Sequence, residues 1–414
     1  MESLKIAVVS DWFYPKVGGI ETHIDELATR LVRLGHEVHV FTHDYRKYEW
    51  GGHEPARPYA VHRLHGRFYI KAHHISLGPG ALIEANAIYK KVGFDITHVH
   101  SLYSPLGLAL ANLSRGIRGV PVVATNHSLF SWSNPVARAL LPILRRELRR
   151  IDCFIAVSSV VADDTRRVLG RGLRLKPVYV VPNAVDPKFW RPPEPEERKR
   201  ARRRLGIDED ESVVVVVGRL TRRKAVHTAP RIVRRAAELL GRRITLVIVG
   251  DGPLRERVEE EAARHSNGLL RVELRGFMER EALRSVYWAG DVLLLTSHME
   301  AFSITALEAM ASGMVVVGYA DSGVRDILQH GGGVLVEDEM GASKALAGFF
   351  ADRERLEVQR RRAVQVVQER FSWDTVLPRI LSVYRSTIDY AGLEDYEYLL
   401  HRIWVKLSRK LSHR

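Results

Sequence analysis

Two glutamates eight residues apart carry the most specific chemical signal in the chain. In TSHMEAFSITALEAMASG, from Thr296 to Gly313, Glu300 follows a short apolar run and Glu308 falls inside a helical stretch. A loop carboxylate accepts hydrogen bonds from sugar hydroxyls, and a helix carboxylate two turns on reaches a ribose diol. Phe302 and Ser303 open that helix, so their backbone N–H groups face whatever sits at its N-terminus. Two surface glutamates are the plainer reading. The flanking Ala, Leu and Met residues give the segment a buried character and weigh against it.

Three further segments place reactive or ligand-seeking groups directly after apolar runs. GRLTRRK, Gly218 to Lys224, puts Arg219 and Lys224 where a guanidinium and an ammonium can neutralise a diphosphate. A solvated basic loop is the alternative there, and Arg222 and Arg223 fit it. In SDWFYPKVGGIETHI, Gly18 and Gly19 precede a helix that begins near Ile20. Paired glycines let the backbone approach a phosphate at a helix N-terminus, or simply serve a loop that needs positive φ. In VVATNHSLFSW, His127 is the best placed of the 18 histidines to orient a substrate hydroxyl or a departing group. His298 lies in a comparable loop without that context. GDGP (Gly250–Pro253) reads as a tight turn, and PNAVDP (Pro182–Pro187) closes the first half of the chain.

These groups need a scaffold that presents loops at strand ends, and the alternation of elements supplies one. β-branched runs at Lys5–Val9, Glu37–Thr42, Ile96–His100, Val120–Thr125, Cys153–Val157 and Val178–Val181 predict strands in the first half. Ile20, Ile24, Leu27, Leu31 and Leu34 recur at helical spacing before Gly35, a stop signal. SVVVVVG, ITLVIVG, LRVELRG, DVLLLTS and MVVVGYA repeat the theme in the second half, as strands buried on both faces. The pattern predicts an α/β fold of two Rossmann-like, doubly wound domains facing across a cleft, with ligands beyond the carboxyl ends of the strands. The expected organisation is an N-terminal domain over 1–190, a proline- and charge-rich linker entering a solvated helix over 191–212, and a second domain over 213–372. A helix over 373–390 then crosses back to the first domain, and a basic tail over 391–414 follows.

Composition narrows the classes. The 414 residues exceed one ordinary core, and 46% hydrophobic with 27% charged residues excludes a mostly disordered chain. One cysteine, Cys153, excludes a disulfide framework and a cysteine zinc site. No run reaches the ~18 apolar residues of a spanning helix, and the N-terminus lacks the order of a signal peptide, so a cytoplasmic protein is expected. The net charge of +14 suits an anionic partner without choosing one. In YEYLLHRIWVKLSRKLSHR, Leu399, Leu400, Ile403, Trp404, Leu407 and Leu411 share a helical face beside Arg402, Lys406, Arg409 and Lys410. That pattern suits either peripheral contact with an anionic membrane through 396–414 or packing on protein.

Taken in order, the segments resemble the family 4 retaining glycosyltransferases of GT-B architecture over roughly residues 5 to 390. EAFSITALE is similar to that family's E-x₇-E motif, GRLTRRK to its Arg/Lys pair, and GGIE to its glycine loop. SDWFYPKVGGIETHI, TNHSLF and PNAVDP look closer still to the member type that moves N-acetylglucosamine onto phosphatidylinositol. The resemblance implies that Arg219 and Lys224 bind the donor diphosphate and stabilise the leaving group, and that Glu308 holds the ribose. It places Glu300 at the transferred sugar, His127 at the donor sugar or the reacting geometry, and Gly18 and Gly19 at the diphosphate. It further implies a nucleotide-sugar donor (a UDP-sugar, UDP-GlcNAc favoured), a phosphatidylinositol-type lipid headgroup as acceptor, and no metal or other cofactor. No metal-ligand cluster is legible in the sequence. Ala225 stands where the family usually has glycine, so the turn after Lys224 is expected to differ. The acceptor is expected to be read by loops such as Tyr45–Arg57 and His65–Leu77, and the base near Arg275–Met278. A soluble sugar, sugar-phosphate or polysaccharide acceptor is the alternative. A basic nucleic-acid-binding protein is remote, since no DNA- or RNA-reading motif is present.

Overall fold

The strand pattern resolves into two parallel sheets, each wound in both directions from a central pair. The computed structural model describes residues 2–14, 18–44, 56–65, 68–70, 75–77 and 79–391. The expected membrane-facing tail over 396–414 lies outside these, as do residues 45–55, 66–67 and 71–74 of the expected acceptor loops.

The described residues divide into two compact units, one holding those within 2–157, 161–181 and 377–391 and the other residues 158–160 and 182–376. The first unit holds β1 (Lys5–Val9), β2 (Glu37–His43), β3 (Ala60–Leu64), β6 (Ile96–His100), β7 (Val122–Asn126), β8 (Cys153–Ala156) and β9 (Val178–Val180). They lie side by side in the order β3-β2-β1-β6-β7-β8-β9, all parallel. Between β3 and β6, the short strands β4 (Phe68–Ile70) and β5 (Ile75–Leu77) form a separate antiparallel ribbon. The second unit orders β10 (Ser212–Val217), β11 (Ile244–Val249), β12 (Leu270–Leu274), β13 (Val292–Leu294), β14 (Val315–Tyr319) and β15 (Gly333–Val336) as β12-β11-β10-β13-β14-β15. Its pairs too are parallel. In each sheet the direction of winding reverses once, between β1 and β6 and between β10 and β13. Such switch points leave a crevice beyond the strand ends.

Burial on both faces explains the unbroken apolar runs: every residue of β11 is buried, as are Val213 to Val216 of β10. β3, β4, β5 and β15 were not expected from the sequence. β3 is an edge strand whose Ala-Val-His-Arg-Leu run mixes polar with apolar residues, and β15 is a four-residue edge strand. Both fall below the length and apolarity that make a strand legible. The first helix, Gly19–Arg33, buries Ile24, Leu27 and Leu31 as its spacing predicts. Leu34 departs from that prediction: it sits past the last turn and is 48% exposed. Gly35 takes the left-handed φ of +89° that ends the helix.

The charged segment after Arg191 forms the expected helix, solvated on one side and anchored on the other. Helix Pro195–Arg204 is fixed to the second unit because Arg198 and Arg202 turn inward onto Asp291, at 2.6 and 3.0 Å. Arg360 joins the same carboxylate, and the Val213 N–H donates to it at 2.8 Å. The anchored side is not legible in sequence because its counter-charge lies about ninety residues away. The long C-terminal helix Trp373–Ala391 enters the first unit from Leu377 on. There Tyr384 Oη meets His98 Nδ1 at 2.6 Å, and Thr387 Oγ1 meets the Cys153 thiol at 3.1 Å. Burial pushes that thiol up to about 12, so Cys153 is a packing residue.

Candidate donor and acceptor sites

The second unit gathers the residues singled out from spacing at its switch point. The loop after β10 carries Arg219 and Lys224, and the loop after β13 carries Glu300. The two loops meet in an ion pair, Lys224 Nζ donating to Glu300 Oε2 at 2.6 Å. Ser297 Oγ donates to the same oxygen at 2.7 Å, and Thr296 Oγ1 to the Lys224 carbonyl at 2.6 Å. Lys224 also lines a small depression with Thr296 and Ser297 at the ends of β10 and β13. Arg219 is exposed beside it, and so are Arg222 and Arg223, in keeping with a solvated role for the last two.

Glu308 lies on helix Ile304–Ala311, 8% exposed, where the Tyr287 hydroxyl donates to it at 3.2 Å. Ser303 caps this helix, its Oγ accepting from the Ala306 N–H at 3.2 Å. Phe302 is buried, so it offers a ligand its backbone rather than its ring. Gly323 lets a neighbouring turn close over this loop: its N–H donates to the Glu300 carbonyl at 2.7 Å, and a Cβ there would lie 2.1 Å from the Ala301 oxygen. GDGP packs just as closely on the loop after β10, a Cβ on Gly250 falling 2.0 Å from the Gly218 oxygen. Arg275 of the expected base-reading segment is engaged with Glu273 and the Leu205 carbonyl.

The turn after Lys224 is left-handed at Ala225. This residue adopts φ +48° and ψ 28°, the left-handed conformation for which glycine is the usual choice. An alanine in this conformation carries a strain of about 1 kcal/mol.

In the first unit, Gly18 and Gly19 open the helix that bears His23. Gly18 is extended at φ −167°, so the positive-φ reading of this pair does not hold. What crowds a side chain there is Glu21, whose Oε2 would lie 2.6 Å from a Cβ. His127 follows β7 and is joined by two histidines that spacing does not single out. His100 Nδ1 and His127 Nε2 are 3.0 Å apart, and the His23 ring lies 5.2 Å from that of His127. A legible signal existed: His98 and His100 alternate on β6, so both project from one face of it.

The absence of a metal-ligand cluster, expected from sequence, therefore needs correction: one nitrogen from each of His23, His100 and His127 falls within 4.8 Å of the others. No short-range spacing could reveal it, because the three come from a helix and two strand ends. As arranged, His100 and His127 share a hydrogen bond, which takes the proton of one nitrogen and the lone pair of the other. Burial pulls His23 down to about 4, and burial with the His23 charge pulls His98 down to about 3. Burial and the neighbouring imidazoles hold His100 and His127 well below the ordinary range. All four are neutral at pH 7.

This cluster sets an acid limit on stability. The folded pKa values lie below the unfolded value near 6.5, so the unfolded chain takes up more protons as pH falls. The contribution is complete above 6.5 and declines below it, by about 2 kcal/mol at pH 5 for His23 alone. Calorimetric melting between pH 7.5 and 5 is expected to show a falling Tm, less steep in His23→Asn. Parallel curves for the two proteins would show that His23 is not a source of the acid sensitivity.

Both halves of the chain match families of known proteins. Residues 17–189 match Glycosyltransferase Family 4, and residues 197–366 match Glycosyl transferases group 1. The phosphatidylinositol N-acetylglucosaminyltransferase subunit of Arabidopsis thaliana is 30% identical over 345 residues, 81% of this chain and 72% of that protein. The chain is a family 4 glycosyltransferase. D-inositol 3-phosphate glycosyltransferase of Xylanimonas cellulosilytica is 29% identical over 407 residues, 89% of this chain and 91% of that one. Among solved structures, sucrose-phosphate synthase from Thermosynechococcus elongatus aligns with a TM-score of 0.74 at 23% identity, covering 92% of this chain and 98% of that chain. That likeness shows the GT-B fold, two Rossmann-like halves. Among the described residues no helix of this glycosyltransferase is long and apolar enough to cross a membrane.

Proposed function

We propose that this glycosyltransferase moves N-acetylglucosamine from a UDP donor to the inositol ring of a phosphatidylinositol-type headgroup, with retention at the anomeric carbon. The observation that carries the reading is the meeting of Lys224 and Glu300 at the switch point of the second sheet, with Glu308 on the helix that follows. Lys224 and Arg219 take the diphosphate and stabilise charge as the leaving group departs, work that electrostatics dominates. Glu308 accepts hydrogen bonds from the ribose hydroxyls, the N–H groups of Phe302 and Ser303 meet donor oxygens, and Glu300 holds the transferred sugar. Gly18 and Gly19 give the diphosphate access to the start of the first helix. His127, kept neutral, orients a sugar hydroxyl through the ring nitrogen that His100 leaves free. The reaction needs no metal in this scheme, since Lys224 and Arg219 supply the positive charge.

The acceptor rests on chemistry shared by relatives of different kinds. The names of the Arabidopsis and Xylanimonas proteins both specify a phosphorylated inositol, one in a lipid and one free. The soluble acceptor is therefore the second reading, a free inositol phosphate taking the place of the lipid. Labelled UDP-GlcNAc, UDP-glucose and GDP-mannose, each offered with phosphatidylinositol vesicles or inositol 3-phosphate in the presence of EDTA, tests all of it. Transfer from UDP-GlcNAc to the vesicles is the expected result. Label on inositol 3-phosphate alone would select the second reading, and a requirement for added metal would overturn the metal-free scheme.

Glu308→Ala is expected to weaken donor binding about ten- to a hundredfold, the worth of hydrogen bonds to a charged group. Turnover at saturating donor should change much less. Calorimetric titration with UDP gives the first quantity, and a donor affinity equal to that of the unaltered protein would remove Glu308 from the site.

A further inference from the structure

Helix Pro135–Glu147 of the first unit turns an apolar face to solvent. Val136, Leu140 and Ile143 are 64%, 53% and 60% exposed. Their spacing of four and three residues sets them on one side of the helix, with exposed Ala139 beside them. The opposite side is spent on the core, where Leu141 is buried and Leu144 packs against it. Contiguous large aliphatic side chains left in water mark a surface that meets something.

Charge says what. Arg138, Arg146, Arg149 and Arg150 are exposed on and just after this helix. The one carboxylate between Trp132 and Ile151 is Glu147, and Asn112 Nδ2 donates to it at 2.6 Å. An apolar strip bordered by arginines, its single carboxylate engaged, complements a surface that is anionic outside and apolar beneath. The 13 residues span about 20 Å at 1.5 Å each, short of the ~30 Å hydrocarbon core, so the helix can lie along a bilayer and not cross it. Asn134 caps it, accepting from Val136 N–H at 2.9 Å and Ala137 N–H at 3.3 Å, which ties it to the loop that carries His127. We propose that this helix is the docking face of the first unit for an anionic phospholipid membrane. The assignment stands apart from the acceptor, because it needs no inositol headgroup.

Flotation of the full chain with vesicles of phosphatidylcholine, alone or with 30 mol% phosphatidylserine and no phosphoinositide, tests it at about 0.1 M salt, a Debye length near 10 Å. Binding is expected at least about tenfold stronger with phosphatidylserine, and about tenfold weaker again in Leu140→Ser/Ile143→Ser and in Arg146→Glu/Arg149→Glu. Thermal melts of both variants, all four positions being at or near the surface, should match the unaltered protein and report an intact fold. Binding in both variants equal to that of the unaltered protein, or binding indifferent to phosphatidylserine, would overturn the proposal. A dimer seen by light scattering and lost in Leu140→Ser/Ile143→Ser, with vesicle binding untouched, would also overturn it, by giving the face to a second copy.

Discussion

Lys224→Ala is expected to lower kcat about a hundred- to a thousandfold while changing donor affinity much less. In the free protein the ammonium is held 2.6 Å from Glu300 Oε2, and its backbone carbonyl is pinned by Thr296 Oγ1. The loop is thus set before any donor arrives, so little reorganisation is needed when charge builds on the leaving diphosphate. Removing one such preorganised donor costs about 3–4 kcal/mol in the transition state. In the proposed site a ground-state diphosphate would keep Arg219 and solvent cations, so binding is expected to suffer less. Single-turnover kinetics beside UDP titration separates the two effects. A variant that loses affinity in proportion to rate would make Lys224 a binding residue and move the electrostatic work elsewhere. Arg222→Ala, in the exposed part of the same loop, is the matched control and should leave both quantities near their starting values.

Asp291→Ala should be the most destabilising single change in the second unit outside its apolar core. Its carboxylate is met by Arg198, Arg202 and Arg360 and by the Val213 N–H, with little access to water. Burial alone would push its pKa up; the three guanidiniums and the amide outweigh that and hold it below the usual carboxylate range. The arginines crowd one another as well. Burial and its two neighbours pull Arg198 down to about 10, still charged at neutral pH, with Asp291 opposing the fall. Deleting this charge leaves Arg198 and Arg202 without their carboxylate and Arg360 with Glu357 alone, and breaking a buried pair in this way costs about 3–5 kcal/mol. For a unit of this size that lowers Tm by roughly 6–20 °C. Because the folded pKa is the lower one, the stabilisation is present above about 4 and disappears as pH falls through the folded value. Calorimetry at pH 7 and pH 3 checks both parts: the gap between the two proteins should be wider at the first than at the second. An equal gap at both pH values would mean that packing, not charge, sets the cost.

The residues that spacing alone picked out differ in how they fared, for physical reasons. Glu300, Ser303 and Glu308 were legible because a strand end, a cap and a helix follow one another within a dozen residues. Arg219 and Lys224 were legible by the same local rule. His23, His98 and His100 were not singled out, although they crowd His127. Nothing near any of them in the chain signals the others, and a lone histidine on an apolar helix face is usually core. The solvated reading of the segment after Arg191 holds for its outer side; the inward turn of Arg198 and Arg202 was not legible because Asp291 is remote.

Local order is thus what the sequence determined by itself: alternating strands and helices, strands buried on both faces, the family, and the loops where donor chemistry would sit. These depend on periodicity and on neighbours within a few residues, which a linear reading contains. Tertiary structure alone decided which loops meet. The placing of β10 beside β13 brings Lys224 to Glu300 across 76 positions, and the placing of β6 beside β7 brings His100 to His127 across 27. It also decided which side of helix Pro135–Glu147 is left to solvent, the side that carries Val136, Leu140 and Ile143. Strand order and the facing of a helix are set by the summed burial of many distant side chains, and no single segment carries that sum.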